Sequence, residues 1–352
     1  MKDDFLKNKS ILITGGTGSF GRNFTEKLVL NHKPSKIIIF SRDEFKQYQM
    51  QNFFNQKKYL SKQKNKNLIR YFIGDVRDKK RLKLALYDDV DIVIHAAALK
   101  QVPTCEYNPF EAVKTNILGA QNLIDACMSS HVQKVIALST DKASSPVNLY
   151  GATKLTSDKL FISANNYKGK KDIKFSVVRY GNVMGSRGSI IPMLNSKINE
   201  SKIPITDLKM TRFNITLDES INFVFNCLKS MWGGELFVPK LPSYKLLDLC
   251  KAICPESKYE IIGVRPGEKL HEEMISKADS FSTVEFKKYF VIMPNLPIFH
   301  WNKKQFMKTS NTYPGKLVKE DFIYNSLLNK NYLSVNDIIK LIKLNQHTFY
   351  SN

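Results

Sequence analysis

Short apolar runs punctuate the first half of the chain, at residues 11–13, 37–40, 71–73, 92–94, 135–138 and 175–178. Each run is continuous rather than alternating, and stretches with helical spacing of apolar residues separate them. Strands that are apolar on both faces belong in a parallel sheet covered by helices on both sides. The pattern therefore predicts an α/β fold, a doubly wound parallel sheet over residues 1–183. Beyond Tyr180 the regularity breaks. Residues 185–188 read as a loop, 233–239 as a further strand, Leu246–Ile253 as a helix, 259–264 as a short strand and 265–268 as a loop. Residues from about 214 to 240 are expected to return to the first domain. That leaves 184–213 and 241–295 as a smaller region and 296–352 as a C-terminal extension, where Ser334 and Asp337 have capping-box spacing. Residues 57–67 read as a surface excursion.

Composition changes this picture little. The chain has 352 residues, 43% hydrophobic and 24% charged, enough to bury a large core. Its net charge of +22 raises the question of nucleic acid. The excess is Lys in solvated runs with no interleaved aromatics, so nucleic-acid binding is not expected. Arg is scarce, and Arg42, Arg77, Arg179, Arg187, Arg212 and Arg265 all fall in motif-bearing segments. Arginine offers a planar fork for phosphate that Lys lacks, which suggests a phosphate-bearing ligand. No apolar run is long enough to cross a bilayer, and the first strand starts too near Met1 for a signal peptide. A cytoplasmic protein without membrane contact is expected. The five cysteines form no CxxC pair, and Cys250 and Cys254 lie one helical turn apart with no His nearby, so no metal site is expected.

Gly15, Gly18 and Gly21 recur every third residue between the first strand and a helical pattern. Such a turn lets backbone approach a pyrophosphate, and the helix start presents free N–H groups to it. The second strand ends at Ser41, Arg42 and Asp43, with Lys46 a turn later. A carboxylate there suits a free ribose 2′-OH, whereas Arg42 suits a 2′-phosphate, so NADP is the favoured cofactor and Asp43 against the ribose the other reading. Asp75 and Val76, after the third strand, are placed to meet adenine.

Ser139-Thr140-Asp141-Lys142 ends the fifth strand, and Tyr150 and Lys154 follow one helical turn apart. A phenol beside an ammonium can act as the base that takes a proton from a substrate hydroxyl as hydride leaves the same carbon. Thr140 can hydrogen-bond the carbonyl so formed. Alcohol oxidation needs nothing more, so Asp141 and Lys142 point to a further proton-transfer step. Oxidation of a sugar C4 hydroxyl acidifies the C5 proton. Neutral Lys142, its pKa lowered by burial and by Lys154, would remove that proton. Protonated Asp141 would donate to the departing C6 hydroxyl.

These stretches, with His95–Lys100, Tyr107–Pro109, Lys114–Asn116, Arg179–Asn182, Met210–Phe213 and Arg265–Glu272, resemble the extended short-chain dehydrogenases/reductases. The resemblance is strongest to the inverting UDP-N-acetylglucosamine 4,6-dehydratases that begin pseudaminic acid synthesis. It implies Lys142 as C5 base, Asp141 as C6 acid and Tyr150 as C4 base, assisted by Thr140 and Lys154. It implies NADP contacts at Gly15, Thr17, Gly18, Ser19, Phe20 and Gly21, then at Ser41, Arg42, Asp43, Glu44, Phe45 and Lys46. Further cofactor contacts are implied at Asp75, Val76, Ala96, Lys100, Tyr150, Lys154 and Val183. UDP-N-acetylglucosamine is implied at Lys100, Asn182, Arg187, Gly188, Ser189, Ile190, Ile191, Arg212, Arg265 and Glu268, and the family implies a homo-oligomer, dimer or hexamer. Asn214 stands where an aromatic is usual, and residues beyond about 300 match poorly. A UDP-sugar 4-epimerase would need Tyr150 and Lys154 but not Asp141 and Lys142. The intact Tyr150–Lys154 pair argues against a non-catalytic NADP-binding protein.

Overall fold

The computed structural model describes residues 4–56, 68–87, 89–186, 190–196, 200–294, 302–308 and 314–350. The expected excursion at 57–67 lies outside them. The apolar runs form β1 (Ser10–Thr14), β2 (Lys36–Ser41), β3 (Ile69–Ile73), β4 (Ile92–His95), β5 (Lys134–Thr140) and β6 (Lys174–Tyr180). Helices α1 (Ser19–Asn31), α2 (Glu44–Asn55) and α3 (Lys79–Leu86) connect the first strands. After β4 come α4 (Val102–Tyr107), α5 (Pro109–Ala112), a π-helical turn (Val113–Leu118) and α6 (Gly119–Met128). Helix α7 (Leu149–Ser163) links β5 to β6. These strands pair in parallel in the order β3-β2-β1-β4-β5-β6, and every residue of β1 and β4 is buried. The order reverses between β1 and β4, which opens a ligand crevice at the carboxyl ends of those strands.

The second half builds around this edge. Strands β7 (Asn182–Val183) and β9 (Thr211–Ile215) bracket α8 (Ile190–Asn195) and β8 (Lys202–Ile205). Helix α9 (Leu217–Ser230) then returns the chain to the main sheet at β10 (Leu236–Pro239), parallel to β6. Next come β11 (Ser243–Lys245), α10 (Leu246–Ile253), as the apolar spacing predicts, and β12 (Lys258–Ile261). Strand β13 (Glu273–Ile275) follows, then β14 (Thr283–Glu285) and β15 (Tyr289–Ile292). Antiparallel β15 and β14, with β16 (Lys316–Leu317), extend the main sheet to ten strands. A short helix, α11 (Lys303–Met307), precedes β16.

Two apolar cores result. One is sandwiched about the main sheet; the other joins α8, β8 and α10 to the C-terminal helix α12 (Val335–Tyr350) through Ile338. The capping box is present: the Ser334 N–H donates to Asp337 (3.0 Å) and the Asp337 N–H to the Ser334 hydroxyl (3.2 Å). Strand β17 (Tyr324–Asn325) pairs with β13, and the Tyr324 hydroxyl engages both the N–H and the carbonyl of Leu241. The C-terminal segment is thereby wedged behind the crevice. Among the described residues no helix is long and apolar enough to cross a membrane.

Candidate active site

The glycine turn after β1 is shaped for close backbone approach. Gly15 has φ of +64°, and a Cβ there would lie 2.8 Å from the Ala97 nitrogen. Gly18 is the N-cap of α1 and supplies no side-chain cap, so the thirteen-residue helix points its N–H groups toward the crevice. The chain thus leaves a cradle that a side chain would fill, which fits a dinucleotide pyrophosphate. Beneath it, Thr14 and His95 are hydrogen-bonded (2.8 Å), and the Ala97 N–H donates to the Thr14 hydroxyl. Burial, with Lys154 adding to it, lowers His95 to about 3 and keeps the ring neutral.

At the tip of β2, Asp43 caps α2 by accepting from the Lys46 N–H (2.9 Å) and pairs with the Lys46 ammonium (2.8 Å). These two residues engage each other. Arg42 instead reaches to 3.8 Å from Asp75, with its side chain 54% exposed. Arg77 grips Asp75 through both Nε and Nη2. Glu44 and Phe45 are exposed at the start of α2, while Ser41 and Val76 are buried.

The catalytic candidates converge past the end of β5. Thr140 caps the single 3-10 turn Asp141–Ala143, and Asn148 caps α7 by accepting from the Gly151 N–H (2.7 Å). A Cβ at Gly151 would collide with the Lys142 carbonyl oxygen, so only glycine lets α7 lie directly on the turn. That contact sets Tyr150 against Thr140 and Lys142. Lys154 is 3% exposed one turn further on, and burial lowers its pKa against the pull of Asp158. Asp158 is fixed by the Ser139 hydroxyl (2.7 Å) and by Arg179 (3.2 Å), whose other nitrogen donates to the Met274 carbonyl of β13.

Two electrostatic expectations need correction. Lys142 is not held neutral by burial and Lys154. Burial does pull it down, but Asp141 at 3.1 Å and Glu272 at 2.9 Å overcome this and hold the ammonium above its ordinary range. Nor does Lys154 bring the Tyr150 phenol toward neutrality in the protein alone. Burial pushes Tyr150 up to about 12, and the opposing influences are Lys142 and the Thr140 hydroxyl. Asp141 is 1% exposed and is pushed up by burial and by Glu272. Its Oδ1 accepts from Thr140 and Lys142, while Oδ2 has no protein partner.

Glu272 closes this cluster and was missed by motif reasoning. It is 2% exposed, and Lys142 and Arg212 hold its carboxyl below the usual range despite burial. Its neighbours strap the catalytic turn down. Lys269 donates to the Ser144 carbonyl (2.6 Å), and the Ser144 and Ser145 hydroxyls donate to Glu273 (3.2 and 2.7 Å). Asn148 donates to the Gly267 carbonyl (2.7 Å). The one sequence signal was that Glu272 ends the motif-bearing stretch from Arg265.

On the sugar side, Asn182, Val183, Ile190 and Ile191 line one cavity together with Asn214 and Tyr244. The unusual Asn214 therefore faces the same space as the expected substrate residues. Arg212 is turned inward: Nη1 donates to the Thr211 and Leu270 carbonyls, and Nε faces Glu272 at 3.7 Å. Arg265 is 55% exposed, 4.0 Å from Glu268. Ala96 and Lys100 lie on the segment after β4 at the crevice mouth. Arg187, Gly188 and Ser189 lie outside the described residues.

Strand order, glycine cradle and the Tyr150–Lys154 helix define an extended short-chain dehydrogenase/reductase fold. The chain matches the family described as "Polysaccharide biosynthesis protein" over residues 11–294 and belongs to it. It is 52% identical over 339 residues to a Campylobacter jejuni subsp. jejuni (strain 81-176) protein named UDP-N-acetylglucosamine 4,6-dehydratase (inverting), covering 96% of this chain and 98% of that one. A Rickettsia canadensis UDP-glucose 4-epimerase is 40% identical, covering 81% of this chain and 83% of that one. Among solved structures, Pen from Bacillus thuringiensis superposes with TM-score 0.84 at 39% identity, covering 98% and 99% of the two chains.

Gly151→Ala should force α7 off the Asp141–Ala143 turn. The expected outcome is a loss of about 1–3 kcal/mol in urea unfolding, the usual cost of overpacking, with catalytic turnover falling further than stability does. Unchanged stability and turnover would mean that the helix and turn do not depend on this contact.

Proposed function

We propose that the protein is an NADP-dependent inverting 4,6-dehydratase of UDP-N-acetylglucosamine, forming UDP-2-acetamido-2,6-dideoxy-β-L-arabino-hex-4-ulose. The observation that carries this is the Asp141–Lys142 pair, 3.1 Å apart beside Tyr150, with Asp141 buried and Lys142 half-buried. A 4-epimerase would use Tyr150 and Lys154 and leave this acid and base without work. The name of the Campylobacter relative supports the same activity. Residues 1–183 with about 214–240 would hold the cofactor, and 184–213 with 241–295 the sugar nucleotide. The cradle at Gly15–Gly21 would take the pyrophosphate, Arg42 the 2′-phosphate, and Lys154 the nicotinamide ribose. Arg265 and Glu268 would meet the diphosphate end of the substrate, and Asn182 to Ile191 the sugar side. Arg212 would act mainly as counter-charge to Glu272. A cytoplasmic homo-oligomer that begins pseudaminic acid synthesis completes this reading and rests on the family resemblance.

Bound NADP⁺ would supply the hydride acceptor at C4 and, once reduced, the donor at C6. Tyr150, whose phenolate the positive charge of the bound nicotinamide would favour against burial, takes the O4 proton, and Thr140 hydrogen-bonds the new carbonyl. The ketone acidifies C5–H. At rest the pair is Lys142 ammonium and Asp141 carboxylate. One proton moved across their contact gives amine and carboxylic acid, with no change in net charge. Burial of Asp141 favours that acid form. Lys142 takes the C5 proton, and the C–H electron pair becomes the C5–C6 double bond as C6–O breaks. Asp141 protonates the leaving hydroxide, which departs as water. The pair is left as ammonium and carboxylate, its resting form. With hydride added at C6, which the bound cofactor would supply, the C5–C6 pair shifts into an enolate; C5 then takes a proton on the face opposite Lys142, and the proton taken by Tyr150 balances the one C5 receives.

Purified protein with UDP-N-acetylglucosamine should give a 4-keto sugar with a C6 methyl group in its ¹H NMR spectrum and no net reduction of NADP⁺. Lys142→Met should cut methyl formation by about a hundredfold or more and leave NADP⁺ binding unchanged. A product that keeps its hydroxymethyl group would instead support the epimerase. Arg42→Ala should weaken NADP⁺ binding by roughly tenfold, the scale of one charged hydrogen bond, with little change for NAD⁺. Equal losses for both cofactors would remove Arg42 from the 2′-phosphate.

A further inference from the structure

Glu272 is the one buried carboxylate in the cluster that the reaction as written does not consume. It reaches Lys142 from the other half of the molecule, and its backbone is pinned from behind. Its N–H donates to the Ser326 hydroxyl (2.9 Å) and its carbonyl accepts from the Ser326 N–H (2.8 Å). Ser326 is itself fully buried, between Glu272 and Thr211. Arg212 Nε stands 3.7 Å from the same Glu272 oxygen that meets Lys142. One Glu272 oxygen is thus fixed 2.9 Å from the Lys142 ammonium, and the other has no protein partner.

We propose that Glu272 is a positioning residue that sets the pH window of elimination, because its fixed negative charge governs how many protons the Asp141–Lys142 pair holds. This rests on the dehydratase reading above. Elimination needs Asp141 as acid and Lys142 as amine, which together hold one proton between them. Adding a second proton disables the base, and losing the only one disables the acid. The window is therefore bounded by two apparent pKa values that belong to the pair. The groups facing Lys142 are Asp141, Tyr150, Arg212, Tyr244, Lys269 and Glu272. Of these, Glu272 acts on both members in the same direction: it favours the ammonium of Lys142 and opposes the carboxylate of Asp141. Both limbs of the window therefore lie higher with Glu272 than without it. Arg212 works the other way on Lys142 and is itself offset by Glu272.

The test is C5 proton exchange with solvent, measured across pH in wild type, E272Q and E272D. E272Q keeps the side-chain shape but removes the charge. Both limbs should move to lower pH by about one unit or more, the scale expected for one charge at contact distance. E272D keeps the charge and should keep the window, even at reduced rate. A second readout needs no turnover: reductive methylation modifies only neutral amines, and its pH profile at Lys142, read by mass spectrometry in substrate-free protein, should shift down in E272Q. If E272Q does not fold, Ser326→Ala, which loosens the clamp, should shift both profiles the same way by less. A variant that lowers the rate while both pH profiles stay in place would overturn the proposal. Wild-type protein with no C5 exchange would sink the dehydratase reading instead, and the methylation profile would still decide the role of Glu272.

Discussion

The Lys142 ammonium held between two buried carboxylates, Asp141 and Glu272, is the constraint on which the site depends. Ions taken out of water cost several kcal/mol each unless they are paired closely and hydrogen-bonded. Asp141 and Glu272 are both nearly inaccessible, and Arg212 is almost as deeply set. None of them is tolerable where it lies without the others. The contact between the turn after β5 and the segment before β13 therefore offsets the cost of burying these charges. Held this way, Lys142 as a base would be strong because its conjugate acid is stabilised. It is also one proton transfer from a matched acid, so strength does not come at the expense of availability.

Everything around the cluster serves that meeting. Lys269, Glu273 and Gly267 fasten the residues that follow Lys142, and Arg179 ties α7 to β13 through Asp158 and Met274. Gly151 lets the helix that carries Tyr150 and Lys154 rest on the same turn. The C-terminal segment completes the arrangement from behind, through Ser326 at Glu272 and Tyr324 at Leu241. The parallel sheet alone supplies the glycine turn and the Tyr150–Lys154 helix. The second half adds Glu272, the charge that bears on both Asp141 and Lys142.

What was legible from sequence follows from the range of the forces involved. The strands through β6, the glycine turn, α10 and the Ser334 cap are local patterns, and each is found where the spacing placed it. The edge strands β14 to β16 are two to four residues long, too short to carry a period. Tyr150, Thr140, Asp141 and Lys142 lie close in sequence, so their meeting was readable. Glu272 lies far along the chain, and only the fold brings it to Lys142. The Lys142 charge state was misread on two counts: Asp141, adjacent in sequence and the larger influence, was read as a proton donor rather than as the counter-ion of the ammonium, and Glu272 is brought in only by the fold. The partners of Arg212, the carbonyls of Thr211 on β9 and of Leu270, with Glu272 nearby, are likewise set by the fold.

Inversion at C5, as proposed, requires Lys142 to take the C5 proton from one face while the replacement arrives on the other. Turnover of UDP-N-acetylglucosamine in D₂O, with the C5 configuration of the product assigned by NMR, addresses that directly. Deuterium at C5 with inverted configuration is the predicted result. Deuterium with retained configuration, or a C5 that keeps its original proton, would contradict it.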